Sequence, residues 1–150
     1  MKRFSLSVLF VSLALQGYAQ QAELTAESSR LSSYGGTVKI AASVTYEQAP
    51  GALGWSITLP IGWSLVETSG AQTPEIAPSA GAVSKLEWAF VSIPNSSAQF
   101  EFTVSYPAGL RQTQRISADV VTCSDGTTKS ILASGLTFSP ERIRPGVREK

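Results

Sequence analysis

Two glutamates come closest, among the side chains of this sequence, to the spacing of a catalytic acid and base. Glu87 and Glu101 each lie in a run of alternating apolar and polar residues, and the two runs flank a turn-like segment around Asn95. If these runs form a hairpin centred near Asn95, both glutamates point outward as diagonal neighbours, about 7–8 Å apart. That separation overlaps the range that glycoside hydrolases use.

A hydrolytic role for this pair is nevertheless the weakest of our hypotheses. General acid catalysis needs a carboxyl group whose pKa burial has raised, whereas the polar residues around Glu87 and Glu101 predict a flat, hydrated surface. The chain contains no histidine, which excludes Ser-His-Asp and Cys-His mechanisms. We therefore predict no catalytic residues and no enzymatic activity.

Two aromatic residues in loop-like segments are candidates for ligand binding. Trp63 follows a turn at residues 60–62, and Tyr34 precedes Gly35. An exposed aromatic ring on a β-sheet protein can stack on a sugar or anchor a partner protein. The alternative for Trp63 is that it packs with Leu65 beneath the loop and closes one end of the core, which we favour because large aromatics are mostly buried.

No metal or cofactor site is predicted. Asp119 and Asp125 are the only aspartates, so the chain has no Asp-rich loop for calcium. A Gly-rich loop that binds phosphate precedes a helix, and the sequence shows no helical pattern. Cys123 is the only cysteine, so no internal disulfide forms, and its strand-like surroundings predict a small, partly buried side chain.

The elements that position these residues are β-strands. Apolar and polar residues alternate with a period of two at residues 38–46, 53–59, 85–90, 100–106 and 116–120, as in strands with one buried face. Turn residues separate these runs, and a stretch rich in Gly, Pro and Ser at residues 69–81 is predicted to cross between sheets. We predict an all-β fold with a single antiparallel β-sandwich, jelly-roll or Ig-like, of about 8–9 strands.

One strand pairing can be predicted in detail. In the hairpin centred near Asn95, Trp88 lies opposite Phe102, and Phe90 lies opposite Phe100. All four rings then face the same way, because a register shift of one residue would expose them. This predicted hairpin would be the centre of the core.

The two ends of the chain differ in character from the rest. Residues 1–19 combine Lys2 and Arg3, an apolar run and small residues before Ala19, which is typical of a secretory signal peptide cleaved after Ala19. The apolar run is shorter than the roughly 20 residues that a membrane-spanning helix needs. We predict a β-sandwich domain at residues 20–140 and a charged C-terminal tail at residues 141–150.

The charge balance argues against some partners. The predicted signal holds two of the twelve basic residues, which leaves ten basic and eleven acidic residues in the mature chain. A chain this close to neutral lacks the excess of positive charge that binds DNA or RNA. With a cleaved signal, the protein is expected to be secreted, periplasmic or on the cell surface.

Beyond these patterns, the chain resembles a known family of modules over residues 30–140. The strands and turns that carry the resemblance are residues 36–40, 52–60, 62–65, 86–90 and 100–104. In their order they resemble the cohesin-like β-sandwich modules of bacterial surface and secreted proteins. The chain resembles immunoglobulin-like export domains almost as well. The resemblance implies a nine-stranded sandwich that holds proteins together or to a surface. Cohesins bind a dockerin through one sheet face, but no individual contact residue can be matched here.

These observations favour an exported, non-catalytic binding or adhesion module that acts by protein–protein contact and needs no cofactor. The first alternative is a carbohydrate-binding module with Trp63 or Tyr34 as its platform and a polysaccharide as its ligand. The second is the small glycoside hydrolase that would use Glu87 and Glu101. A structural envelope subunit that polymerises through its edge strands is a variant of the leading hypothesis.

Overall fold

The computed structural model describes residues 20–142 and is all-β, with no helix in that range. The predicted signal peptide and most of the predicted tail, residues 143–150, lie outside the described residues. Ten strands follow one another, slightly more than expected because one has only two residues: β1 Gln21–Ala26, β2 Arg30–Leu31, β3 Gly36–Thr45, β4 Ala52–Thr58, β5 Ser64–Ser69, β6 Lys85–Phe90, β7 Ser97–Tyr106, β8 Gln114–Ser124, β9 Thr127–Leu132 and β10 Leu136–Pro140.

The strands form two sheets that pack face to face. The four-stranded sheet has the order β1-β3-β7-β5, and the six-stranded sheet has the order β2-β10-β8-β4-β6, with β9 also paired to β8. Pairing is antiparallel except between β2 and β10, which run parallel. The predicted β-sandwich is therefore confirmed. Residues 70–84 connect β5 in one sheet to β6 in the other, as the Gly- and Pro-rich composition predicted.

The predicted hairpin between β6 and β7 is wrong. β6 pairs with β4, with Trp88 opposite Trp55, whereas β7 lies in the other sheet between β3 and β5. The rings nevertheless meet, because the two strands face each other across the core. Ring centroids lie 5.4 Å apart for Trp88 and Phe100 and 5.1 Å apart for Trp88 and Phe102.

The connection between β6 and β7 explains why the hairpin does not form. The backbone N–H of Tyr46 donates to the carbonyl of Ser96 at 2.9 Å, and the Tyr46 hydroxyl donates to the carbonyl of Pro94. Burial raises the pKa of this hydroxyl above its ordinary value. These bonds hold the connection at the end of β3, so that β7 continues beside β3 and not beside β6.

Candidate functional site

The two glutamates considered as an acid–base pair do not lie together. Glu87 is on the outer face of the six-stranded sheet, where it pairs with Lys85 at 3.1 Å. Glu101 is on the outer face of the four-stranded sheet, 3.9 Å from Lys39. The predicted 7–8 Å separation depended on the hairpin, and the whole thickness of the sandwich separates the two carboxylates instead. The structure thus brings no catalytic pair together at these positions.

Trp63 lies in the core and has none of its surface exposed. Its indole packs against Tyr106 and Phe138, with ring centroids 5.4 and 5.6 Å away. Its backbone N–H donates to Pro60 across a tight turn in which Gly62 has φ +86°. The ring closes one end of the core, which is the alternative that the sequence favoured for Trp63. It has no free face for a sugar.

Acrylamide quenching tests this placement directly. Trp55 and Trp88, the other two tryptophans of the chain, are each 2 % exposed. We therefore expect native fluorescence to resist acrylamide and the protein unfolded in guanidinium to be quenched freely. Trp63→Phe should lower the emission without removing a quencher-accessible fraction. Loss of an accessible fraction in this variant would contradict the burial of Trp63.

Tyr34, the second candidate platform, is 89 % exposed in the loop between β2 and β3. Its backbone N–H donates to the hydroxyl of Ser32 at 3.2 Å. The backbone N–H of Ser32 in turn donates to the Tyr106 hydroxyl at 3.1 Å. The exposed ring is thus carried by a loop that hydrogen bonds fix to the domain.

The outer face of the four-stranded sheet is polar and charged. Glu23, Lys39, Glu67 and Glu101 project from its four strands. Their neighbours along the strands are mostly serine, threonine and glutamine. Such a surface is well hydrated, and burying it against a partner would require most of its charges to be paired.

The outer face of the six-stranded sheet differs, because two adjacent rows across it contain no charged side chain. One row runs from Ile76 through Ala89, Gly54 and Val121 to Ser130. The other contains Ala52, Cys123 and Thr128, beside Val91 at the end of β6. We call these nine residues the aliphatic face.

The aliphatic face is shallow at its centre and has exposed apolar side chains around it. Gly54 and Ala89 supply the shallow centre, while Ile76, Val91 and Val121 are 57, 70 and 41 % exposed. Cys123 is partly buried there, as its strand-like surroundings predicted. An uncharged surface with contiguous apolar side chains is typical of the centre of a protein interface.

The neighbouring row along the same sheet is acidic. It contains Glu87, Ser56, Asp119 and Leu132 in order across the strands. Leu132 is 76 % exposed and extends the apolar surface beside the aliphatic face. The arrangement of an apolar centre with a charged border matches the anatomy of protein-binding surfaces.

The edges formed by β5, β6 and β9 are covered or carry an inward-facing charge. The backbone N–H of Gly81 donates to the carbonyl of Leu65 in β5 at 2.7 Å, and the N–H of Leu65 donates to the carbonyl of Ala82 at 2.8 Å. Ile76 and Ala89 of β6 exchange two backbone hydrogen bonds. On β9, Lys129 lies opposite the buried Thr122 and so points toward the inner side of its sheet. Covered edges and inward-facing charges oppose edge-to-edge pairing, which disfavours polymerisation through these strands.

The end of β6 is held by a carboxylate. Glu75 accepts hydrogen bonds from the backbone N–H groups of Val91 and Ser92 at 2.8 and 3.1 Å. The bond from Val91 is the main reason that the pKa of Glu75 lies below its ordinary value. Because Ile76 follows directly, this anchor also fixes one end of the aliphatic face.

Neither a metal centre nor a membrane span is found in the described part of the chain. Across residues 20–142, no three Cys, Asp or Glu side chains are grouped so that they could hold a metal ion. Nor does a long apolar helix suited to crossing a bilayer occur in this range.

Comparison with known proteins identifies the fold. No protein-family model matches the chain, and no curated protein matches it. Among solved structures, the N-terminal domain of a Streptococcus gordonii adhesin superimposes with a TM-score of 0.62 at 8 % identity, over 81 % of this chain. The chain spans only 33 % of that adhesin chain.

Cohesin modules also superimpose on the domain. A non-cellulosomal cohesin from Archaeoglobus fulgidus matches with a TM-score of 0.54 at 11 % identity, over 81 % of this chain and 92 % of its own. A type II cohesin domain from the cellulosome of Acetivibrio cellulolyticus matches with 0.56 at 8 % identity, over 79 % and 94 %. The domain therefore has a cohesin-like β-sandwich fold, as the sequence resemblance implied.

Proposed function

We propose that this protein is an exported, non-catalytic binding module that docks a folded protein partner on its aliphatic face. The observation that carries the proposal is the difference between the two outer faces. One face has charged side chains on all four strands, whereas the other has two adjacent uncharged rows with exposed aliphatic residues. Adhesins and cohesins of the same fold are binding modules, which supports this reading.

The acidic row beside the aliphatic face indicates the chemistry of the partner. Glu87 and Asp119 are on the partner's side of the sheet, and only Glu87 forms an ion pair there among residues 20–142. Complementary charges at the border of an interface speed association and fix orientation. We therefore expect a partner surface with an apolar centre and lysine or arginine residues along one side.

A glutamate in the middle of the aliphatic face tests the proposal. The tagged wild type is used to capture proteins from a surface and envelope extract of the source organism, alongside Val121→Glu and Ser43→Glu. Ser43 is on the outer face of the opposite sheet, so it adds the same charge elsewhere. A partner held by wild type and Ser43→Glu should be lost with Val121→Glu, because a buried unpaired charge costs several kcal/mol, about 3–5.

Two results would count against this site. Capture that survives Val121→Glu would show that the partner binds elsewhere. Capture that Ser43→Glu abolishes would place the interface on the four-stranded sheet. The folded state of each variant is checked by circular dichroism and thermal unfolding, since both substituted side chains point to solvent.

Export is the second part of the proposal. It is supported by the charged start, apolar run and small residues of positions 1–19. N-terminal sequencing of the protein recovered from the envelope or the medium should begin at Gln20. An unprocessed chain beginning at Met1 would contradict a cleaved signal.

A further inference from the structure

Two of the four arginines of the described chain lie together at one end of the sandwich. These two line an open cavity of about 580 Å³: Arg111, in the loop before β8, and Arg142, after β10. Arg30 and Arg115 lie on strands at either side of β10, opposite Ser139 and Thr137 respectively. We call this space the arginine cavity.

The arginine cavity keeps a net positive charge, because two arginines and one glutamate line it in the described chain. Neither Arg111 nor Arg142 forms an ion pair with any residue of 20–142. Glu141 is the one acidic residue in the cavity wall. A guanidinium group presents a planar set of donors that fits a carboxylate with two parallel hydrogen bonds. The cavity is therefore suited to an anionic group.

The rest of the cavity wall supplies hydroxyl and apolar groups. Ser33, Thr113 and Ser139 provide hydroxyls, and Leu110 and Pro140 provide apolar surface. The volume lies within the range of small-molecule sites, about 300–1,000 Å³. Such a mixed wall can bond the hydroxyls of a ligand while contacting its carbon skeleton.

The loops that form the cavity are fixed to each other before any ligand binds. Ser33 accepts a backbone hydrogen bond from Gly109 at 3.0 Å. Glu141 donates its N–H to the carbonyl of Leu31 at 2.8 Å. The exposed Tyr34 directly follows Ser33 in the same loop, although it does not itself line the cavity. Preorganised groups lose less entropy on binding.

We propose that the arginine cavity binds a carboxylate-bearing sugar unit of an acidic polysaccharide. Arg111 and Arg142 receive the carboxylate, the three hydroxyl side chains bond the ring hydroxyls, and Tyr34 stacks on the carbon face of an adjoining sugar. This site is separate from the aliphatic face, which lies across β6, β4, β8 and β9. The inference goes beyond protein docking and stands or falls independently of it.

A sugar fits these observations better than an acidic peptide. Tyr34 is 89 % exposed, so its ring lies in no well-packed pocket of the kind that holds the anchoring side chain of a peptide. A flat exposed ring instead matches the flat carbon face of a pyranose. The three hydroxyls of the wall likewise suit a ligand with many hydroxyl groups.

Isothermal titration of the full chain with trigalacturonate tests the proposal. We expect saturable binding that weakens as salt is raised and that disappears with the fully methyl-esterified trisaccharide. Arg111→Gln should raise the Kd about 10- to 100-fold, as loss of a charged hydrogen bond does. Tyr34→Ala should raise it about 2- to 10-fold.

Lys39→Gln is the matched control, because it removes one positive charge from the outer face of the four-stranded sheet, outside the cavity wall. It should leave the Kd unchanged, as should Val121→Glu, which separates this site from the aliphatic face. Absence of trigalacturonate binding, equal weakening by Lys39→Gln, or undiminished binding of the methyl ester would overturn the carboxylate site. Tetraglutamate that binds as tightly as trigalacturonate, with no effect of Tyr34→Ala, would overturn the sugar assignment in favour of an acidic peptide.

Discussion

Replacing Trp88 by alanine is expected to lower the free energy of unfolding by about 3–5 kcal/mol. Trp88 is 2 % exposed and lies where the two sheets meet. Its ring contacts Phe100 and Phe102 from the opposite sheet, and its Nε1 donates to the hydroxyl of Thr68 at 2.9 Å. Alanine would leave a cavity against all three neighbours, and urea unfolding of wild type and variant measures the loss.

Two further variants separate the contributions of the ring and of its hydrogen bond. Trp88→Phe keeps an aromatic ring near Phe100 and Phe102 but loses the bond to Thr68, so we expect a smaller loss than with alanine. Leu132→Ala truncates an apolar side chain that is 76 % exposed on the same sheet and should change stability by about 0.5 kcal/mol or less. A loss below about 1 kcal/mol for Trp88→Ala would contradict its central position in the core.

The inward and outward faces of the strands were predictable from the sequence. Alternation with a period of two puts Trp88 and Phe90 on one side of their strand and Phe100 and Phe102 on one side of theirs. In the structure all four are buried. Periodicity reports burial because each strand has one side on the core, whatever its neighbours in the sheet are.

Strand pairing was not predictable in the same way. Two strands that each have one apolar face can bury those faces in two ways. They can lie side by side in one sheet, with both faces on the core, or they can face each other across the core from different sheets. The bonds of Tyr46 to residues 94 and 96 decide between these arrangements, and they join positions that are about 50 residues apart in the sequence. The error over Glu87 and Glu101 follows from this, since their proximity required the hairpin.

The candidate sites divide in the same way. Burial of Trp63 was the favoured prediction, whereas its partners Tyr106 and Phe138 lie far along the chain and were not predicted. The arginine cavity is built from residue 33, residues 109–113 and residues 139–142. No sequence window contains more than one of these segments. Arg111 and Arg142 are 31 residues apart in the sequence, so no local pattern marked them as a pair.

Gly35→Ala is expected to destabilise the protein by more than the ~1–2 kcal/mol that a left-handed backbone alone costs, because a clash adds to the strain. Gly35 has φ +78°, which a side chain rarely tolerates. A Cβ there would lie 2.9 Å from the backbone nitrogen of Ala108 and 3.0 Å from the carbonyl oxygen of Tyr106. Both obstacles are backbone atoms, so the loops must move apart to admit the methyl group.

Gly126→Ala is the matched control for this substitution. Gly126 has φ +73° in the turn between β8 and β9, and a Cβ there would meet nothing within 4 Å. Its cost should therefore be that of the backbone conformation alone, about 1–2 kcal/mol. Equal losses for the two variants, measured by urea unfolding, would show that the close approach at Gly35 imposes no constraint.

The same pair of variants links the fold to the arginine cavity. Gly35 lies between Tyr34 and β3, close to the backbone of Ala108, and its loop is bonded to Gly109 through Ser33. We expect separation of these loops to widen the cavity on the side of Ser33. We expect Gly35→Ala to raise the Kd for trigalacturonate under conditions where the variant is still folded, and Gly126→Ala to leave it unchanged. An unchanged Kd in Gly35→Ala would mean that the spacing of these loops does not govern the site. A raised Kd in both variants would trace the effect to general loss of stability and not to the cavity wall.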